Sequence, residues 1–235
     1  MKHIKIFSSI SEYETSKSGG TLITPNVSLI NEDNSIRYLP ELDDPTHNGY
    51  KYVDLGLPSG LKWAKCNVGA SSPEEYGLYF AWGETTGYTA DDVTSGIRAF
   101  NEDTYNAGPA ASISADLTLE QDAAHVNMGG NWRMPTKDEF QELVDNCNIV
   151  WINDYNGTGV AGRVFTSKVN GNSVFFPAAG LCTGSSMNGV GSLGYDWSAS
   201  WDSEFYAWFL LFYSGTQDMH YGSRYFGFSV RGVCE

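Results

Sequence analysis

Two glycine-containing motifs are the first places where this sequence could carry cofactor binding or nucleophilic chemistry. Residues 189–194 read G-V-G-S-L-G and match the G-x-G-x-x-G pattern of dinucleotide sites. That pattern holds a pyrophosphate only where a strand precedes it and a helix begins on it, and the residues after Gly194 do not begin a helix. Residues 180–184 read G-L-C-T-G, which imitates a nucleophile elbow with Cys182 as the nucleophile, but again no helix follows. We therefore expect a glycine-rich loop and a small buried thiol.

The acidic and histidine residues lack the spacing of a metal site. Residues 154–157, D-Y-N-G, resemble the start of a calcium loop, but position 12 of that loop would be Phe165, where a bidentate Glu is required. The four histidines are scattered without metal-ligand spacing: His3, His47, His125 and His220. The sequence therefore predicts no catalytic residue, no metal and no cofactor, and a protein that is not an enzyme.

The charge and the cysteines narrow the classes of partner and compartment. The chain has 28 acidic and 14 basic residues, a formal net charge of −14. Such a negative field repels phosphate backbones and anionic lipids, so neither nucleic acid nor a membrane surface is an expected partner. The longest apolar run, 207–213, is too short to insert into a membrane. Four cysteines without a C-x-x-C pair, and no apolar signal segment, predict free thiols and synthesis in the cytoplasm without a signal peptide.

Composition divides the chain into two parts. Residues 1–45 contain two strand-like runs, 21–30 and 35–39, on either side of a polar turn, which predicts a hairpin. This segment has too few large apolar residues for its own core. We expect it to be a small β-containing docking or tether segment that attaches to the main domain, to another copy or to a larger assembly. Residues 46–235 are then the main domain.

The main domain reads as an α+β protein with few helices, short antiparallel strands and long loops. Strand-like runs occur at 51–55, 61–66 and 78–83, and an Asn-Gly turn at 170–171 predicts a hairpin from 162 to 178. Residues 86–118 have no clear period, and we expect loops there. One helix is well marked, because the capping box at 136–139 precedes Phe140, Leu143, Val144 and Cys147 at helical spacing.

The segment 195–235 is unusually aromatic, with 13 Phe, Tyr and Trp residues and no Lys. If Leu210 and Phe212 point inward, alternation along a strand turns Phe209, Leu211 and Tyr213 outward. Exposed aromatic residues mixed with small polar ones have the composition of an antibody paratope. The alternative is a strand that is buried on both faces.

Six motifs in the same order resemble those of the Fibrobacter succinogenes major paralogous domain, a family common in gut Bacteroidetes and their phages. They are Y-V-D-L-G-L-P-S-G-L-K-W-A at 52–64, C-N-V-G-A at 66–70, Y-F-A-W-G-E at 79–84, G-G-N-W-R-M-P-T at 129–136, Y-D-W-S-A-S at 195–200 and G-F-S-V-R at 227–231. The resemblance covers about 50–235. One departure is Gly232, where the family usually has Pro.

The resemblance implies a C-type-lectin-like fold of the formylglycine-generating-enzyme type, in which two terminal strands pair and long loops display a binding surface. It does not imply the oxidase activity, because this chain has no matched cysteine pair. Some members are variable proteins of diversity-generating retroelements, whose adenine-directed mutagenesis produces NNY codons. Those codons cannot encode Trp197, Trp201, Glu204, Trp208, Gln217 or Met219, which would be scaffold. The expected ligand-binding, variable face is Phe205, Phe209, Leu211, Tyr213, Thr216, Asp218, His220, Tyr221, Gly222, Ser223, Tyr225 and Phe226.

The leading hypothesis is a non-enzymatic receptor-binding protein or adhesin that displays this aromatic face. Its expected partner is a protein or carbohydrate ligand on a cell surface. Assembly into a phage tail through the N-terminal segment, with a virion or otherwise cytoplasmic location, belongs to the same hypothesis, and a homo-oligomer would add avidity. The alternatives are a structural surface-display domain without a diversified site and, third, an enzyme related to the formylglycine-generating fold.

Overall fold

The computed structural model describes residues 28–30, 36–38 and 44–235. The chain divides into two units, Met1–Asp44 and Pro45–Glu235. In the first unit, β1 (Ser28–Ile30) pairs antiparallel with β2 (Ile36–Tyr38), so the predicted hairpin is confirmed over its described part. The other residues of 1–43, and with them the predicted docking role, lie outside the described residues.

The second unit is mainly β, with few and short helices, in keeping with the α+β expectation. Its strands fall into four antiparallel sheets. The strands are β3 Thr46–His47, β4 Tyr50–Asp54, β5 Lys62–Asn67, β6 Cys147–Ile152, β7 Gly162–Ser167, β8 Ser173–Pro177, β9 Leu181–Thr183, β10 Ser186–Asn188, β11 Leu193–Trp201, β12 Tyr206–Tyr213, β13 Gln217–Ser223 and β14 Arg231–Cys234. Within the sheets their orders are β14-β5-β4-β3, β6-β7-β8, β10-β9 and β11-β12-β13.

The helices are short, and their caps explain where they begin. They are α1 (Ala90–Thr94), α2 (Glu102–Asn106), α3 (Ala123–Met128) and α4 (Lys137–Asn146). The predicted capping box begins α4, because Thr136 and Glu139 bond to each other's backbone amides. No helix among the residues that the structure describes is long and apolar enough to cross a membrane.

Two predictions of local structure were wrong. The segment 86–118 holds α1 and α2 rather than loops alone, because the side chains of Thr89 and Asn101 accept hydrogen bonds from the amides of Asp92 and Thr104, at 3.1 and 2.9 Å. The segment 78–83 is not a continuous strand. It forms single bridges only, from Tyr79 to Tyr88 and from Phe80 to Phe228.

Two hydrophobic clusters make up the core of the second unit. The predicted inner face of α4 is confirmed, since Phe140 and Leu143 are buried in the smaller cluster. The larger cluster includes Trp82, Trp132, Trp197, Phe209 and Phe228. The smaller cluster includes Trp63, Phe140, Phe176, Leu210 and Phe212. Strand β12 contributes neighbouring residues to both clusters and therefore separates them.

A fully buried arginine joins the strands from the two ends of the second unit. Arg231 of β14 donates from Nε to Asn67 Oδ1 of β5 at 2.9 Å, across 164 positions of sequence. Its other donors reach the carbonyl oxygens of Ala64 and Phe175, at 2.9 and 3.0 Å. The guanidinium also lies 4.3 Å from the ring centroid of Phe176. Burying the charge is tolerated because the guanidinium is surrounded by acceptors.

The carboxyl group of Asp196 on β11 is also buried, but it is poorly satisfied. Asp196 lies opposite Leu210 of β12. Its Oδ1 has no hydrogen-bond partner among the described residues. Burial raises the pKa of Asp196 to about 7, against a smaller lowering by the charge of Arg231. The folded protein therefore holds this proton far above the pH at which an exposed aspartate releases it.

The four cysteine thiols are unpaired in the structure. Cys147, Cys182 and Cys234 are buried, and Cys66 is partly buried. Burial raises the pKa of Cys147 to about 11 and that of Cys182 to about 12. Both groups are thus protonated at neutral pH, and a protonated thiol is a poor nucleophile.

We expect all four thiols to react with a thiol reagent after unfolding in denaturant without reductant, because no disulfide holds any of them. In the folded protein the buried thiols should react much more slowly than Cys66, since the reagent cannot reach them. A colorimetric thiol titration measures both states. Finding two reactive thiols or none in the unfolded protein would contradict the unpaired assignment.

Candidate functional site

The sheet β11-β12-β13 positions most of the predicted variable residues. Opposite residues of antiparallel strands share a face. Phe209 lies opposite His220, whereas Trp208 lies opposite Tyr221. His220 and Tyr221 therefore project from opposite faces of the sheet. The predicted set does not form one continuous surface.

The prediction that Phe209 faces solvent was wrong. Phe209 is 6% exposed, and its ring centroid lies 5.6 Å from that of Trp197 and 4.8 Å from that of Phe228. Leu210 and Phe212, which were expected to point inward, are also buried. Alternation assigned the residues to two faces correctly, but the middle of β12 is covered on both faces.

The other predicted residues differ in exposure. Leu211, Tyr225 and Phe226 pack partly against the larger cluster, so a ligand could reach only part of each side chain. The exposed members are Phe205, Tyr213, Asp218, His220 and Tyr221. The partly buried members are Leu211, Thr216, Gly222, Ser223, Tyr225 and Phe226.

Four rings form an exposed cluster that we call the aromatic surface: Phe205, Tyr206, Trp208 and Tyr221. Their ring centroids are separated by 6.4 Å (Phe205 to Tyr206), 5.8 Å (Tyr206 to Tyr221) and 5.5 Å (Trp208 to Tyr221). Phe205, Tyr206 and Tyr221 are 62%, 40% and 57% exposed. The outer rings thus keep large apolar areas in water although they contact one another.

The ammonium group of a lysine lies over the face of one ring of the aromatic surface. Nζ of Lys137, the first residue of α4, lies 3.4 Å from the ring centroid of Trp208. Such contacts are favourable because the face of an aromatic ring carries a negative electrostatic potential. Trp208, which the codon rule placed in the scaffold, is accordingly half-buried beneath this ammonium group.

A cleft of about 510 Å³ adjoins the aromatic surface. Three of the predicted variable residues and Tyr206 take part in it, together with two acidic residues. Its lining residues are Glu102, Tyr105, Asn106, Ala111, Ser112, Glu204, Phe205, Tyr206, Ser223, Arg224 and Tyr225. The cleft therefore lies between α2, the turn after it and the ends of β12 and β13.

Arg224 braces the walls of this cleft. It is 1% exposed and donates to the hydroxyl of Tyr105 at 3.0 Å and to the carbonyl oxygens of Glu204 and Ala110 at 2.8 and 2.6 Å. Its guanidinium lies 4.8 Å from the ring centroid of Trp82. Burial raises the pKa of Tyr105 to about 12, so this hydroxyl remains a neutral partner.

Sequence reasoning missed Tyr206 and Arg224. Tyr206 was assigned to neither face. It shares strand parity with Leu210 and Phe212, but it is exposed because it lies at the end of β12. Arg224 is one of two arginines in an otherwise aromatic segment. An arginine in such a segment could have been predicted to be a buried structural residue, because a buried arginine needs carbonyl or aromatic partners.

The site offers aromatic contact area and polar side chains. Within the described part of the chain, no group of three or more His, Cys, Asp or Glu residues could hold a metal ion.

Comparison of the chain with protein-family models, with curated proteins and with solved structures finds no match in any of the three. Function is therefore inferred from the residues and their geometry.

Proposed function

We propose that this chain is a non-enzymatic ligand-binding protein, a receptor-binding protein or adhesin, whose contact site is the aromatic surface with its adjoining cleft. The observation that carries the proposal is the clustering of Phe205, Tyr206 and Tyr221, each well exposed, beside a concave polar site. Rigid aromatic side chains give contact area at a low entropy cost. Contiguous exposed rings bordered by polar groups mark interaction sites more often than scattered ones.

The motifs that resemble the family support a division between a fixed scaffold and a display region. Trp82 donates from Nε1 to the carbonyl oxygen of Ser198 at 2.8 Å, and Trp197 donates to that of Phe80 at 2.9 Å. Phe80 also forms a bridge with Phe228. The motifs at 79–84, 195–200 and 227–231 thus hold one another inside the core, and the exposed rings lie outside all three.

The proposal includes the C-type-lectin-like fold and membership of the family that the motifs resemble. The pairing of β14 with β5 supports it, since that family pairs strands from the two ends of the domain. Diversification by a retroelement is part of the same proposal. Phe205, Tyr206 and Tyr221 are compatible with NNY codons, whereas Trp208 is not. The expected partner is a protein or carbohydrate on a cell surface.

Replacing Phe205, Tyr206 and Tyr221 together by serine is expected to abolish ligand binding with little loss of stability. Exposed side chains contribute little to folding, so the melting temperature should fall by about 4 °C or less. Biotinylated protein, tetramerised on streptavidin to raise avidity, is applied to intact gut Bacteroidetes cells and to arrays of defined glycans. Wild-type tetramers should bind at least one of these targets, and the triple variant should not.

The matched control replaces three exposed apolar residues elsewhere, Ile97, Val150 and Val169, by serine. This control should retain binding. Wild-type tetramers that bind no cell and no glycan would favour the structural surface-display alternative. A triple variant as unstable as a core variant would show that the aromatic surface is part of the core and would contradict the proposal.

A further inference from the structure

The cleft beside the aromatic surface combines two kinds of group that hold a cation. Glu102 and Glu204 are exposed members of its lining and form no ion pair with any described residue. Three aromatic residues, Phe205, Tyr206 and Tyr225, line the same cleft. Carboxylates attract a cation by charge, and ring faces attract it through their quadrupole.

We infer that this cleft receives a lysine or arginine side chain of a protein ligand, an inference that rests on the proposed function. The stem of such a side chain would lie along the rings, and its charged end would meet the carboxylates of Glu102 and Glu204. The contact of Lys137 with Trp208, at 3.4 Å, shows that a ring of the neighbouring surface already holds an ammonium group in this way.

The cationic residue in the lining, Arg224, does not oppose this occupant. Its guanidinium is 1% exposed and directed at two carbonyl oxygens and a tyrosine hydroxyl, which fixes the walls of the cleft. The two exposed carboxylates carry more negative charge than this one guanidinium carries positive charge. At longer range, the net charge of −14 draws positive ligands toward the protein and repels anionic ones.

The inference is tested by titrating isotope-labelled protein with a capped five-residue glycine peptide that has a central lysine. Amide shifts at Glu102, Asn106 and Tyr225 should change saturably. The double variant Glu102→Gln, Glu204→Gln should weaken binding about fivefold or more, since two charge contacts are lost. Acetylation of the peptide lysine should weaken it similarly, because the stem remains and the charge does not.

The control variant Asp91→Asn, Asp145→Asn removes the same net charge at two exposed sites that do not line the cleft. It should change the dissociation constant less than twofold. Equal weakening in both variants, unchanged binding of the acetylated peptide, or shifts caused by a neutral methyl glucoside instead of the lysine peptide would overturn the inference. If the double variant binds both the lysine peptide and the cell or glycan target as tightly as the wild type while the triple serine variant binds neither, the cation inference fails and the proposed function stands.

Discussion

Alanine at position 209 is expected to lower the free energy of unfolding by about 3–5 kcal/mol. Phe209 is buried between Trp197 and Phe228, and its removal would leave a cavity in the larger cluster. Urea denaturation followed by tryptophan fluorescence measures the loss. The result matters for function, because a residue that supports the core cannot be varied freely to suit different ligands.

Tyr221→Ala is the matched comparison in the adjacent strand. Tyr221 is more than half exposed and contacts Tyr206 and Trp208 only at the surface. Its replacement is expected to cost about 1 kcal/mol or less. If Phe209→Ala cost no more than Tyr221→Ala, Phe209 would belong to the displayed set, and the two-cluster description of the core would be wrong.

The variant Asp196→Asn is expected to change how stability depends on pH. The unfolded chain releases the Asp196 proton near pH 4, whereas the folded protein holds it up to about pH 7. Unfolding therefore releases a proton between these values, and stability falls as the pH rises from about 4 to about 7. This contribution, at most about 4 kcal/mol, is absent from the asparagine variant.

The stability of the variant relative to the wild type should accordingly increase across that range and stay constant above pH 7. Urea melts of both proteins at several pH values give this difference, in which the other titrating groups largely cancel. Any fixed cost of the new amide shifts all values equally and is read off near pH 3, where the wild-type carboxyl is largely neutral in both the folded and the unfolded state. A difference that does not change with pH would contradict the raised pKa.

The elements with strong local signals were predictable from the sequence. The capping box at Thr136 marked α4, and the Asn170-Gly171 turn marked the hairpin of β7 and β8. The five-residue helices α1 and α2 were not predictable from periodicity, because one and a half turns cannot display an apolar stripe. Their signals were the capping residues Thr89 and Asn101 alone.

The site was predictable only in part, for a different reason. Alternation along β12 correctly separated Phe209 from Leu210 and Phe212, but it does not show whether one face or both faces are covered. Covering depends on distant segments, since Phe228 covers Phe209. The aromatic surface also depends on the pairing of β12 with β13, which places Tyr221 beside Trp208.

The pairing of β14 with β5 has a consequence for how fast the second unit folds. Bringing Arg231 to Asn67 closes a loop of 164 positions, at an entropic cost of about 4–5 kcal/mol before any contact of the pair forms. Proteins dominated by such non-local pairings fold in milliseconds to seconds. Until the loop closes, Trp63 lacks the cover of Val233, which lies opposite it in the paired strands. Refolding should therefore compete with aggregation, and dilution should favour the native state.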